Sequence, residues 1–358
     1  MREISSREQS VGQVVSLLQT TDMATCSSCE SNYFKIIATF YGDNSRALDY
    51  LISHGVISSG SSRIPCPKCG TFLSFHEQDH LFICRSTFTV PKTKKRKNCG
   101  FSASQYKGSF LSNCHFAPWK LVLLVNHYLS RHWDYKKIQD CLGLSPNTVC
   151  DWRSFCSEVT EQWFSNQDPI GGVGVEVEVD ETLIVRRKYE RGRVLKQVWL
   201  FGGIERASKR RFVVPLNGEY GVRRDAATLI PIIQKFIRPG SIIYSDSWPA
   251  YRQLSELGYG HDTVNHKKHF VKPGQPEVNT QEVERLWRDI KEWVKRPKIR
   301  SIYLQQYLAR YLFVTAVPEP QQLHRFFIKA SKLYPPFLEV VRRQPEPEVF
   351  SEDEGAVA

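Results

Sequence analysis

The sequence predicts an α/β chain: a mixed sheet flanked by helices, preceded by a cysteine-bearing module and a pair of amphipathic helices. Three observations carry this expectation. After Pro169 and the glycines Gly171, Gly172 and Gly174, the apolar periodicity changes from helical to alternating. Three strand-like runs then follow one another before helices and strands begin to alternate. Upstream lie a CPKCG turn and two short helical patterns joined by a glycine.

At 358 residues the chain exceeds the usual single-domain size. Its composition marks five segments. They are a polar stretch with a helix (1–60), a zinc-ribbon-like module (61–115), a helical region (116–168), the sheet-forming core (169–315) and a C-terminal helix with an acidic tail (316–358). Hydrophobic residues at 41% and aromatic residues at 12% are enough to build a core and exclude a disordered chain. The formal net charge is +12; without the tail carboxylates Glu346, Glu348, Glu352, Asp353 and Glu354 it rises by five to +17. Such a charge points to a polyanionic partner, with a merely soluble basic protein as the alternative. There is no apolar run of about 18 residues to span a bilayer and no apolar leader at the N-terminus. We therefore expect a soluble, intracellular protein with no membrane partner, in the nucleus, or in the cytoplasm if the source is bacterial. In that setting ten cysteines suggest metal binding or burial rather than disulfides.

In the first segment Cys26 and Cys29 form a CxxC with no second pair nearby. A helix is expected over 34–56, capped by Asp43 or Asn44, with Ala47, Leu48, Leu51 and Ile52 on one face. CPKCG places Cys66 and Cys69 on a tight turn, so both thiols can point inward at one zinc ion, and Cys84 and Cys99 could complete a tetrahedron. Ribbons usually close with a second CxxC, whereas here fourteen residues, including the run KTKKRK, separate Cys84 from Cys99. Free thiols are the alternative. The basic run itself suits nuclear import, a phosphate-contacting loop or a solvated charged loop.

Residues 118–133 read as a strongly apolar core helix. A helix-turn-helix pattern follows: Tyr135, Ile138 and Leu142 line a first helix and Gly143 and Leu144 make the turn. Ser145 caps a second helix that opens with Pro146 and carries Val149 and Trp152 inward. Its other positions, Asn147, Thr148, Asp151 and Arg153, could face a DNA major groove, although plain helical packing gives the same pattern.

In the core, GVEVEVDETLIV alternates Val175, Val177 and Val179 on one face and brings Asp180 near its end. Strands at 197–204 and 211–216, a helix at 228–237 with Pro231 in its first turn, a strand at 241–244, a helix at 249–257, a strand around Thr263 and Val264 and a helix at 280–294 complete the order. That is the ribonuclease H-like order, in which first and fourth strands are neighbours. Asp180 and Asp246, just past the fourth strand, would then meet. On the last helix Val283, Leu286, Trp287, Ile290 and Val294 form an apolar stripe, beside Glu284, Arg288, Lys291 and Lys295. That second stripe is either a solvated, salt-bridged face or a carboxylate at the metals with cations on a DNA backbone. Three carboxylates suit two hard cations, magnesium or manganese, that activate a water or 3'-hydroxyl and stabilise a leaving oxyanion. Glu176, Glu178 and Glu181 are rival ligands, with Glu178 on the face of Asp180.

VEVDET around Asp180, QVWLFGGIER, PGSIIYSDSWPAY, VNHKKHF and NTQEVERLWRDIK together resemble the Merlin transposases and their bacterial insertion-sequence relatives, over roughly residues 40–315 and including the zinc knuckle and residues 108–112. The acid spacings are 66 residues from Asp180 to Asp246 and 38 to Glu284. The resemblance implies a magnesium-dependent cut-and-paste transposase on a ribonuclease H-like core, with Asp180, Asp246 and Glu284 as its catalytic triad. Its partners would be double-stranded DNA, as terminal inverted repeats and target, and it would work as a homo-oligomer on DNA. The sequence departs from the family at Asn279, where His is usual, and in the spread second cysteine pair. In VNHKKHF we assign Lys267 and Lys268 to the DNA backbone and leave His266 and His269 unassigned. A transposase-derived DNA-binding protein without transposition activity is the alternative, and a nuclease on the same core a third.

Overall fold

The computed structural model describes residues 31–89, 95–131, 134–184, 198–217, 223–264, 271–272, 275–294 and 303–343. Cys26, Cys29, Lys92, Lys94, His266, Lys267, Lys268, His269, Lys295 and the acidic tail lie outside the described residues. The chain divides into two compact units, Met1–Asn126 with Leu323–Ala358, and His127–Gln322.

In the first unit, the helix expected over 34–56 is two helices, α1 (Tyr33–Phe40) and α2 (Asn44–Ser53). Gly42 breaks them with φ 77°, and the Asp43 side chain caps α2 by accepting from the Arg46 N–H at 2.9 Å. The cysteine module follows as short strands β1 (Ser74–His76), β2 (Leu81–Ile83), β3 (Thr87–Thr89), β4 (Arg96–Asn98) and β5 (Ser102–Ser104). β1, β2 and β5 form an antiparallel sheet, and β3 and β4 a separate hairpin. Helix α3 (Pro118–Leu129) begins in this unit. The core of the cysteine module itself is small: Ile64, Leu73, Phe82 and Ala103 pack around the buried Cys66 and Cys84. A core of this size calls for a staple.

The second unit carries α4 (Tyr135–Leu142), α5 (Pro146–Ser165), β6 (Ile170–Gly171), β7 (Glu176–Leu183), β8 (Trp199–Glu205), β9 (Arg211–Leu216), α6 (Ala226–Phe236), β10 (Ile237–Arg238), β11 (Ile242–Asp246), β12 (Gly260–Val264), β13 (Val271–Lys272), β14 (Gln275–Asn279), α7 (Gln281–Val294) and α8 (Leu304–Ala316). The main sheet runs β12-β11-β7-β8-β9, with β7, β8 and β9 antiparallel and β11 and β12 parallel to β7. This is a mixed sheet flanked by helices, with its first and fourth strands side by side. Val177 and Val179, from one face of β7, are fully buried with Phe201, Phe212, Leu229 and Ile233.

Three local expectations change. Residues 249–257 are two 3-10 turns, Pro249–Tyr251 and Ser255–Leu257, rather than a helix, and Gly258 closes the second in a left-handed cap. Asp225 starts α6 earlier than expected by accepting from the Thr228 N–H at 3.0 Å, so Pro231 falls inside the helix instead of in its first turn. Asp180 is the fifth residue of the eight in β7, not near the end of the strand.

The rest of the chain belongs partly to each unit and ends in the first. Helix α9 (Glu319–Leu333) is followed by α10 (Phe337–Arg343). Gly108, at φ 77°, makes room for the Phe337 backbone: a Cβ there would sit 2.9 Å from the Phe337 nitrogen, which donates to the Lys107 carbonyl at 2.9 Å. Leu338 thereby joins the core of the cysteine module.

Candidate active site and cysteine centre

The parallel pairing of β11 with β7 sets Ile242 against Glu176 and Tyr244 against Glu178, an offset of 66 residues. That equals the spacing of the two aspartates, so Asp246, which is the last residue of β11 rather than just past it, stands level with Asp180 two residues beyond the last β11–β7 pair. Adjacent strands lie about 4.8 Å apart, and the carboxylates of Asp180, Asp246 and Glu181 do fall within 4.8 Å of one another. Among the described residues no Lys or Arg forms an ion pair with Asp180 or Asp246. Burial raises the Asp180 carboxyl to about 7, aided by the charges of Glu181 and Asp246 and opposed by the Trp287 hydrogen bond. Burial likewise raises Glu181. A tight set of hard oxygen donors in which three carboxylates face a single cation, Arg224 on Glu181, could hold divalent magnesium or manganese.

The rival carboxylates one layer down have other partners. Glu178 is fully buried; it accepts from Arg206 Nε at 2.7 Å and from the Glu282 and Val283 amides at 2.8 and 3.0 Å. It thus caps the N-terminus of α7, where free N–H groups and the helix dipole favour an anion. Arg206 also pairs with Glu176 at 3.3 Å, donates to the Asn279 carbonyl at 2.6 Å and stacks 4.2 Å from the Tyr244 ring. Arg206 thus offsets one of these two charges and binds both acids, whereas Asp180 and Asp246 in the layer above have no cationic partner among the described residues. Glu181 differs from both: Tyr251 donates to one of its oxygens and Arg224 to the other at 3.3 Å. Arg224 is itself sandwiched between Trp199 and Trp248, at 4.0 and 5.0 Å.

Helix α7 presents its expected stripe: Val283, Leu286, Trp287, Ile290 and Val294 are all buried. Trp287 Nε1 donates to Asp180 Oδ2 at 2.9 Å. It reaches that far because Gly202 stands directly opposite Asp180 on β8, and a Cβ on Gly202 would sit 2.8 Å from the indole. Glu284, one turn before Trp287, is exposed and outside the three-carboxylate group, and Arg288 and Lys291 are exposed beside it. Glu181, Trp287, Gly202 and Tyr251 were not singled out as site residues from the sequence, apart from Glu181 as a rival ligand. A double glycine inside a strand, FGG, is the signal of close approach that could have found the Trp287 contact.

The cysteine centre comes together despite its spacing. Residues Thr87–Thr89 and Arg96–Asn98 pair as a hairpin, which returns Cys99 beside Cys84. Cys66, Cys69, Cys84 and Cys99 place their sulfurs within 4.8 Å of one another, with Cys66 to Cys99 at 3.6 Å and Cys69 to Cys84 at 3.4 Å. The Lys68 amide points at Cys66 Sγ at 3.4 Å, and the Thr71 amide and hydroxyl lower the Cys69 thiol to about 6. Four converging thiols, one biased toward thiolate, could hold a zinc ion.

The helix pair has the expected joints. Gly143 ends α4 at φ 59° and Ser145 caps α5 by accepting from the Thr148 amide at 3.1 Å. Asn147 and Asp151 are exposed and Thr148 half-buried. Arg153, expected on the exposed face, is 8% exposed and stacks 4.4 Å from the Tyr307 ring. The cause is the length of α5: it runs on to Ser165 and packs against α8, which takes Arg153 inward.

Residues 171–314 match the model of the ISXO2-like transposase domain. The region that carries the acids is similar to a transposase domain. An uncharacterized transposase-like protein of Haemophilus influenzae is 39% identical over 46 residues, 13% of this chain, and the match spans 37% of that relative's length. Among solved structures, a chain of the simian T-cell lymphotropic virus intasome in complex with PP2A regulatory subunit B56 gamma is 18% identical. That match covers 48% of this chain and 63% of the other at a TM-score of 0.26. Among the described residues no helix is long and apolar enough to cross a membrane.

Proposed function

We propose that the chain is a DDE-type DNA transposase of the Merlin kind, with a ribonuclease H-like core that cuts terminal inverted repeats and joins them to target DNA. The level placement of Asp180 and Asp246 on neighbouring parallel strands, inside the transposase-like stretch, carries this reading. Two divalent cations held there would activate the attacking water or 3'-hydroxyl and stabilise the leaving oxyanion. Asp180 and Asp246 are the principal ligands, and Glu284 supplies the third carboxylate from the helix that Trp287 ties to Asp180. Glu181, with both oxygens engaged by Tyr251 and Arg224, positions Asp180 rather than coordinating directly. Asn147 and Thr148 of α5, and Arg288 and Lys291 of α7, contact DNA together with Lys267, Lys268 and Lys295. Cys66, Cys69, Cys84 and Cys99 hold structural zinc, and a homo-oligomer brings two DNA ends together.

Asp180→Asn, Asp246→Asn and Glu284→Gln each abolish strand cleavage and joining on terminal-repeat DNA with magnesium or manganese while leaving DNA binding intact. Glu181→Gln lowers the rate without abolishing it. Normal joining by either aspartate variant would sink the proposal; loss on Glu181→Gln with normal joining by Glu284→Gln would transfer the third-ligand role to Glu181. Wild-type protein that binds this DNA but never cleaves it would instead support a transposase-derived binding protein.

A further inference from the structure

The hairpin of β3 and β4 has no core of its own. All six of its strand residues are exposed, including Phe88 at 50%. Between Cys84 and Cys99 the sequence carries Arg85, Lys92, Lys94, Lys95, Arg96 and Lys97 and no carboxylate. An isolated two-stranded hairpin is marginally stable in water, so something at its base must hold it. That base is the cysteine cluster. The Cys99 amide donates to the Ser86 carbonyl at 2.8 Å, the Cys84 amide to the Phe101 carbonyl at 2.9 Å, and the Cys84 and Cys99 sulfurs converge with those of Cys66 and Cys69. The pleat then sorts the exposed side chains. Phe88 is paired with Lys97 on one face, and Thr89 with Arg96 and Thr87 with Asn98 on the other.

We propose that this hairpin is a DNA-contacting ribbon, clasped at its root by the four cysteines, with Arg96 and Lys97 on backbone phosphates. The inference rests on the reading of the chain as a DNA-binding protein and adds a contact surface to it. A two-stranded ribbon fits the major groove of B-form DNA, and the cations, hydroxyls, amide and single exposed ring of this hairpin match phosphate oxygens, base edges and thymine methyl groups there. Within the chain no strand residue of the hairpin is buried. A purely structural role would not require a basic run free of carboxylates.

The test uses the full chain with its metal bound and a duplex of arbitrary sequence, with affinity measured by fluorescence anisotropy over a series of salt concentrations. Each cation on a phosphate contributes about 0.9 to the slope of log affinity against log salt. Arg96→Ala with Lys97→Ala should therefore lower that slope by about 2 and each single substitution by about 1, while Arg96→Lys leaves it unchanged. The metal-to-protein ratio serves as the folding control; should the double variant lose metal, the single variants decide. An unchanged slope in metal-loaded variants overturns the ribbon while leaving the DNA-binding reading in place. The same holds if the variants lose only capture by an acidic protein surface such as a transport receptor. A wild-type chain that binds no duplex at all overturns both.

Discussion

The residues around Asp180 divide into carboxylates that Arg206 engages and carboxylates that have no cationic partner among the described residues, and the division rests on single side chains. Arg206 is the clearest case. It is the charge partner of a fully buried Glu178 and, from just past β8, ties β7, β11 and β14 to one another through Glu176, Tyr244 and the Asn279 carbonyl. Arg206→Ala leaves a buried carboxylate without its counter-charge, so the expected loss is about 3–5 kcal/mol, the range for breaking a buried pair. Equilibrium unfolding in urea measures it, and a loss under 1 kcal/mol, the level of an exposed pair, would show that Glu178 is held by the helix amides alone. Trp287→Phe probes the upper layer. It keeps the ring among its apolar neighbours but removes the hydrogen bond to Asp180 Oδ2. We expect a small stability change, with joining activity reduced more than tenfold, the cost of loosening Asp180 in its proposed role as a metal ligand. Unaltered activity would make the indole N–H a packing detail.

At the scale of elements, β7 and the α7 stripe were legible in the sequence because each depends on a local period, the alternation of Val175, Val177 and Val179 and a three-to-four spacing in α7, while β8 and β9, apolar along nearly their whole length, show no alternation. The level pair of aspartates was legible too, since the parallel register repeats the 66-residue spacing already present in the chain. What could not be read were features decided by a partner element. Arg153 turned inward because α8 packs along α5, and the fate of Glu178 depended on α7 ending its first turn against β7. The cysteine spacing looked open for the same reason, since only the pairing of β3 with β4 shows that fourteen residues can return to their starting point. Gly202 is the element-scale test. It faces Asp180 across β7 and β8, and a methyl group there would press on the Trp287 ring and the Phe212 carbonyl, each at 2.8 Å. Gly202→Ala should cost about 1–3 kcal/mol as an overpacking change and depress joining as Trp287→Phe does. A variant with wild-type melting temperature and activity would show that α7 can shift without disturbing the site.

At the scale of the molecule, the two compact units have unequal means of holding themselves together. The sheet unit has a large apolar core. The other unit buries apolar side chains such as Leu51, Leu121, Phe326 and Phe327 and adds two polar devices, the four-cysteine cluster and a histidine pair in which His54 Nε2 lies 2.9 Å from His324 Nδ1 and joins α2 to α9. Burial lowers His54 to about 4 from its ordinary 6.5, with the His324 charge acting the same way against the Tyr50 carbonyl; burial and Arg325 also lower His324. For a base with a depressed folded value, the unfolded chain takes up the proton first. The stabilisation is therefore complete above pH 6.5, declines as pH falls, and is lost by about pH 4. For His54 alone the swing is at most about 3 kcal/mol. Thiolate ligands also protonate on acidification, so metal is released over a similar direction of pH change. Calorimetry of the full chain should therefore show two transitions. Acidification from pH 7 to 4.5, or a zinc chelator at pH 7, should lower the transition of the cysteine-bearing unit while moving that of the sheet unit much less. His54→Phe should flatten the acid response of the first transition and leave its response to the chelator, which separates the two devices. A single transition that shifts as one under both treatments would mean that the units do not unfold independently.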